Sequence, residues 1–351
     1  MNFASDNWVG AHPAIMDALA KANEAPQPAY GSDPVTESAI ARINETFECD
    51  AAVYFVTTGG AANGLALSVL TPPYGMVLCH EQSHIEMDEC AGPEFFTGGA
   101  KLCTVPGSAG KLTPAAITQT LAGFPERPPH GSPAHMVSLT QLTECGTRYS
   151  LDELSTLTAC ARDHKLTVHM DGARFANALV ATSATPAEMS WKAGIDVLCL
   201  GATKNGCLMA EAVIFFNKDH ARDFEFRRKR AGHLLSKYRF ISAQIDAWLT
   251  DDLWLTLAAT ANARAHGLST ALCGIDGVTS WYPTDGNEVF VSFPGDVADR
   301  LRAAGAQFYP WVTPGDPAGG TMQRLICSYA TSQDDIDAFV EMTDTLCTGH
   351  K

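Results

Sequence analysis

No CxxC pair occurs among the eleven cysteines of this 351-residue chain, and their odd count and irregular spacing leave no disulfide framework. Cys49, Cys79, Cys103, Cys199 and Cys327 fall in apolar or strand-like runs and read as reduced core thiols. That usage fits a reducing compartment, so a cytoplasmic location is expected. Positive charge is scarce: 24 Lys and Arg stand against 39 Asp and Glu, a formal net charge of −15. This argues against a nucleic-acid or anionic-membrane surface, which needs clustered cations. The single basic run, Arg227-Arg-Lys-Arg230, lies in a helical stretch and reads as a solvated or inter-subunit face. No apolar run has the length of a membrane span, and the first residues show no basic segment followed by an apolar one, so no secretory signal is expected. Internal repeats and low-complexity tracts are missing too. GxGxxG is absent, as is GxxxxGK followed by Ser or Thr, so dinucleotide and P-loop readings are poor.

What remains is an ordinary globular balance, 46% hydrophobic and 18% charged, with ample material for a core. Strand-like runs alternate with helix-like ones. Strands are expected at 52–56, 76–79, 101–105, 135–139, 166–170, 197–200 and 212–216. Helices are expected at 12–22, 36–48, 61–70, 114–121, 151–164 and 186–193. This alternation predicts an α/β fold: a mostly parallel, seven-stranded sheet covered by helices on both faces. From about Asp219 to Leu272 the pattern turns helical. Paired strands at 278–282 and 288–293, a strand at 324–328 and helices at 298–304 and 334–345 then predict a smaller C-terminal α+β unit. The expected division is an arm and helix over 1–25, a large domain over 26–250 and a small one over 251–351.

Two strand ends carry the chemistry. Leu166-Thr-Val-His-Met170 runs into Asp171-Gly-Ala-Arg174, and Val197-Leu-Cys-Leu200 runs into Gly-Ala-Thr-Lys204-Asn-Gly. An Asp-Gly after a strand is usually a turn, and a lysine beside glycines is usually solvated. The pair joined by a helix-length connection points instead to a site, because ligands of α/β sheets sit at the carboxyl ends of strands. An amine and an acid presented there suit pyridoxal phosphate (PLP): lysine forms a Schiff base with the aldehyde, and the carboxylate keeps the ring nitrogen protonated. Thr57-Thr-Gly-Gly-Ala-Ala-Asn63 follows a strand and opens a helix, a place for a phosphate. His80-Glu-Gln-Ser-His84 matches HExxH, but His80 directly follows a strand, so the helical period that zinc ligation needs is not expected and no metal site is assigned. A flat His84 imidazole could stack on a pyridine ring. Arg174 and Arg324 could each hold a carboxylate bidentately, although a surface salt bridge is the plainer reading of Arg324.

Together these residues resemble the low-specificity L-threonine aldolases, PLP enzymes of the aspartate-aminotransferase fold, and the variant pattern resembles a pseudomonad-type subgroup that includes phenylserine aldolases. The matches run nearly end to end, through Phe3-Ala-Ser-Asp-Asn7, Tyr30-Gly-Ser-Asp-Pro34, Thr58-Gly-Gly-Ala-Ala-Asn63, Ser83-His-Ile85, Asp171-Gly-Ala-Arg174, the Lys204 segment and Arg324-Leu-Ile. The resemblance implies that Lys204 binds the PLP aldehyde, Asp171 its ring nitrogen, and Thr58, Gly59 and Gly60 its phosphate, with His84 stacked on the ring. It implies that Ser5, Arg174 and Arg324 hold the substrate carboxylate, Arg174 also lying beside the cofactor. Tyr30 would line the site from a neighbouring subunit of a homotetramer, and Arg239 would reach a neighbour's phosphate. The implied reaction is retro-aldol cleavage of L-threonine, L-allo-threonine, phenylserine or related β-hydroxy-α-amino acids to glycine and an aldehyde. The alternatives are a β-eliminating lyase or aminotransferase of the same fold, and a zinc hydrolase using His80 and His84. Many members carry a histidine where Thr143 stands here, which leaves the base open among His84 and a water held by Asp88 or Glu89.

Overall fold

The structure is a computed structural model that describes residues 1–312 and 321–349. Seven strands form the main sheet: β1 (Ala52–Val56), β2 (Met76–His80), β3 (Lys101–Val105), β4 (Ala134–Thr140), β5 (Thr167–Gly172), β6 (Val197–Gly201) and β7 (Glu211–Phe215). Their order is β1-β7-β6-β5-β4-β2-β3. Only β7 runs against its neighbours. The remaining strands therefore end at one edge of the sheet, and β7 begins there. The inner strands β2, β6 and β7 are buried at every residue. That explains their continuous apolar runs, since helices cover both faces.

Small residues let the functional segments approach. The helix Gly59–Leu70 is buried from Ala61 to Ser68. A Cβ at Gly64 would lie 2.6 Å from the Phe96 ring, so only glycine lets the helix Gly92–Thr97 pack there. A Cβ at Gly201 would lie 2.7 Å from Ala173 Cα. Glycine at that point lets the turn after Asp171 nest against the turn that carries Lys204.

A second, antiparallel sheet contains β8 (Thr279–Ser280), β9 (Glu288–Ser292), β10 (Tyr309–Pro310) and β11 (Met322–Ile326), in the order β10-β11-β9-β8. It has its own core, where Leu268, Leu272, Val289, Leu325 and Phe339 meet Phe3. The long helix Leu253–Cys273 serves both cores, Leu257 and Ala258 in the first, Ala265 to Leu272 in the second. The N-terminal segment is tied to the second sheet by Ile326 N–H donating to Phe3 O.

Expected elements are found within a few residues, with two kinds of difference. The helix expected at 186–193 is only a 3₁₀ turn at Trp191–Ala193. Ser190, at φ −121° and ψ −106°, takes the backbone out of helical geometry just before that turn, and Gly194 at φ +96° ends it. Short helices at His84–Met87, Gly92–Thr97 and Phe175–Thr182 carry too little periodicity to be seen in the sequence.

Candidate active site

The sheet edge opens into a cavity of about 310 Å³, and Thr58, Gly59, Gly60, His84, Asp171, Arg174 and Lys204 all line it. Each arrives from a strand end: Thr58 after β1, His84 after β2, Asp171 on β5 and Lys204 after β6.

Thr58 caps the helix Gly59–Leu70, its hydroxyl oxygen accepting from Ala61 N–H at 3.3 Å. The first amides of this helix have no acceptor within it and face the cavity end. A Cβ at Gly59 would meet nothing within 4 Å. The turn therefore leaves room and unspent N–H donors for a phosphate.

Asp171 is buried, and both of its oxygens are held. Oδ1 accepts from Ala173 N–H at 3.0 Å and Oδ2 from Asn63 Nδ2 at 2.8 Å. Asn63 Nδ2 also lies 2.8 Å from Glu89 Oε1, which in turn lies 2.9 Å from His84 Nδ1. One chain of hydrogen bonds thus links the His84 ring to Asp171. The bond to Glu89 raises the pKa of His84 above its ordinary value, and burial raises that of Glu89. Two further carboxyls line the cavity, Glu144 and Glu211. Burial pushes both up to about 7, and the charge of Asp171 adds to the rise in each. Their tendency to stay neutral leaves the pocket less hostile to an anionic ligand than a count of its acids suggests.

The arginine side is a buried charge network. Arg174 Nε donates to Asp6 Oδ2 at 2.8 Å and Nη2 to Asp6 Oδ1 at 3.1 Å, while Nη1 lies 3.4 Å from Glu288. Burial works against the Asp6 charge, yet Arg174, Lys204 and Asn287 hold its carboxyl below the ordinary range. Arg324 is bound more loosely, with Nη1 3.9 Å from Glu288, Nε buried without a partner, and its guanidinium 3.9 Å above the Trp311 ring.

Ser5, Tyr30, Arg239 and Arg324 do not line this cavity. Ser5 Oγ accepts from Asn7 N–H, and Asn7 is the cavity residue of that segment. Tyr30 is 52% exposed with Lys229 over its ring, and Arg239 Nε donates to Ala22 O at 2.9 Å. The two histidines of the HExxH match part company. His80 ends β2 with Nδ1 accepting from Gln82 N–H, and His84 starts a new helix. Among the described residues, the group with metal-ligand spacing is His84, Glu89 and Asp171, without His80. Sequence reasoning missed Asn63, Glu144, Glu211 and Asp6 as site residues. The signal available was a set of acids and an amide beside the quoted motifs.

The fold and cavity define an aspartate-aminotransferase-like protein with a lysine and a carboxylate facing one pocket. An aspartate aminotransferase from Rhodobacter sphaeroides superposes with a TM-score of 0.72 at 16% identity, covering 99% of this chain and 92% of that one, a likeness of fold alone. A threonine aldolase from Leishmania major superposes with a TM-score of 0.91 at 30% identity, covering 99% of both chains. The family model described as beta-eliminating lyase matches residues 2–293. The low-specificity L-threonine aldolase of Pseudomonas sp. (strain NCIMB 10558) is 43% identical over 331 residues, 94% of this chain and 93% of that one. The chain belongs to the low-specificity L-threonine aldolase branch of the beta-eliminating lyase family.

Proposed function

We propose that this protein is a PLP-dependent aldolase that cleaves β-hydroxy-α-amino acids, such as L-threonine, L-allo-threonine or phenylserine, to glycine and an aldehyde. The observation that carries the reading is the meeting of Lys204, Asp171 and the Thr58–Gly60 turn around one cavity. The donor set fits the cofactor: an amine for its aldehyde, a carboxylate for its ring nitrogen, and free amides with open space for its phosphate. When bound, PLP supplies an electron-accepting ring that stabilises negative charge at the substrate Cα. Lys204 would hold the aldehyde carbon and give way to the substrate amine. Asp171, fixed by Asn63 and Ala173, would keep the ring nitrogen protonated. His84, steadied by Glu89, would lie against the ring.

The substrate carboxylate goes to Arg174, the arginine that lines the cavity, with Arg324, which shares Glu288 with it, and the Ser5 hydroxyl joining from outside the lining. Asp6 already occupies part of the Arg174 fork and so sets its orientation. A carboxylate fixed at this end aligns the Cα–Cβ bond for cleavage. Tyr30 and Arg239 act on a neighbouring subunit's site in a homotetramer. The exposure of Tyr30 and its absence from the lining of its own cavity support that placement. The large unit ends near residue 250, before the helix shared by both cores, and the protein works in the cytoplasm.

The test is glycine release from a panel of L- and D-β-hydroxy amino acids by the PLP-loaded protein. Glycine and aldehyde in equal amounts are expected. A keto acid with ammonia would instead identify a β-eliminating lyase of the same fold.

A further inference from the structure

We propose that Glu144 is the catalytic residue that takes the proton from the β-hydroxyl of the substrate. The inference rests on the aldolase reading above and supplies the base which that reading leaves open.

Glu144 lines the cavity from the loop after β4. Its two oxygens have different surroundings. Oε1 accepts from His84 N–H at 2.7 Å, which fixes the carboxyl against the segment that carries the ring-facing histidine. Oε2 is buried and makes no complete hydrogen bond, the side chain of Thr140, another cavity residue, being the polar group that favours its charged form. A buried acceptor left unmatched at a cavity wall costs stability, and a substrate hydroxyl would satisfy it.

The other candidates are placed less well. Thr143 turns its hydroxyl to Thr147 Oγ1 at 2.8 Å and to Ala109 O at 3.2 Å. Glu89 and Asp88 do not line the cavity, Glu89 Oε1 is already taken by Asn63 and His84, and its unpartnered Oε2 belongs to a residue outside that lining. His84 Nδ1 is committed to Glu89, whose bond favours the protonated ring, so more of it already carries a proton and less is free to accept one. Glu211 lies at the other end of the row of strands, in register with Gly201 of β6 and Val56 of β1, beside the phosphate turn. Glu144 sits on the opposite flank of Asp171, since Thr140 of β4 pairs with Asp171.

The step balances. The β-oxygen loses its proton to Oε2 and becomes the aldehyde oxygen. The Cα–Cβ bond breaks, and its electron pair stays on Cα. Cα then takes a proton, glycine forms, and no net proton is gained or lost.

The base form must be ionised, so activity should rise with pH. Burial first and the Asp171 charge second push Glu144 up to about 7. The charged and titratable groups around it are Asp171 on β5, Arg174 in the next turn, His84 through its backbone, Cys79 on β2, and Cys145 and Tyr149 in its own loop. Burial pushes Cys79 and Cys145 up to about 12, too far to titrate in this window.

Glu144→Gln keeps an oxygen for His84 N–H but cannot take a proton. It should retain PLP binding and substrate KM while kcat for glycine release falls about 10²- to 10⁴-fold. The rising limb near neutral pH should vanish with it. A neutral-carboxyl infrared band that titrates in wild-type holoenzyme should be missing from the variant. Wild-type protein that releases no glycine from any β-hydroxy amino acid would overturn the aldolase reading and this role together. Wild-type release that Glu144→Gln leaves unchanged would overturn the role of Glu144 alone. Should Glu144→Gln not fold, Glu144→Asp decides: a lower kcat with a displaced pH limb supports the role, and an unchanged rate and limb overturn it.

Discussion

The strand-end residues of the cavity and the acids around them are assembled in different ways. Thr58, Asp171 and Lys204 are placed by local rules, each following a buried apolar run and preceding a turn of small residues. Glu144, Asp6 and Glu288 are placed by partners far away in the chain, and Glu211 by the pairing of β7 with β1. Arg174 and Asp6 lie 168 residues apart, and Glu144 and His84 60. The first set defines which cofactor fits. The second set decides how its neighbours are oriented and protonated. Loss of the first should abolish chemistry, and loss of the second should tune or destabilise it, except at Glu144, whose carboxylate takes part in the reaction itself.

The comparison is broken most easily at Lys204. Lys204→Ala should lower glycine release by at least about 10³-fold, because the covalent anchor of the cofactor is lost. Full glycine release and a retained yellow chromophore would mean that another lysine serves. His84→Asn comes next and bridges the two sets. A fall in kcat of about 10²-fold is expected from loss of the ring-facing imidazole, with overall stability little changed. Steady-state kinetics with L-threonine checks it, and an unchanged rate would remove His84 from the reaction.

Asp6→Ala probes the tuning set through stability. It leaves the Arg174 guanidinium buried with only a 3.4 Å approach to Glu288. Unfolding free energy should drop by roughly 3 kcal/mol, read from urea denaturation at neutral pH. The smallest effect belongs to Glu211→Gln. Between the ordinary glutamate range and about 7, the folded protein holds a proton on Glu211 that the unfolded chain has lost. Stability therefore falls as pH rises through that window. Glutamine removes this contribution, so the loss of Tm between about pH 5 and about pH 8 should shrink in the variant. A slope identical to that of the wild type would show that Glu211 is ionised throughout.

How much was legible in the sequence follows the same division. The alternation of apolar runs located all seven strands of the main sheet, and the Asp171 and Lys204 motifs marked its functional edge. The reversed direction of β7, which brings Glu211 to that edge, leaves no trace in hydrophobic periodicity. The engagement of Arg174 by Asp6 was equally hidden. An arginine after Asp-Gly-Ala reads as a free carboxylate ligand until the N-terminal segment is folded back across the sheet. The helix expected at 186–193 failed because periodicity reports which residues face a core but not where the backbone leaves helical geometry, as it does at Ser190.

Borohydride reduction of the PLP-loaded protein, followed by peptide mass spectrometry, tests the central claim most directly. The account predicts one pyridoxyl adduct, carried by Lys204, and its loss of reducibility when Asp171→Ala prevents stable cofactor binding. An adduct on any other lysine, or none at all in wild-type protein, would contradict it.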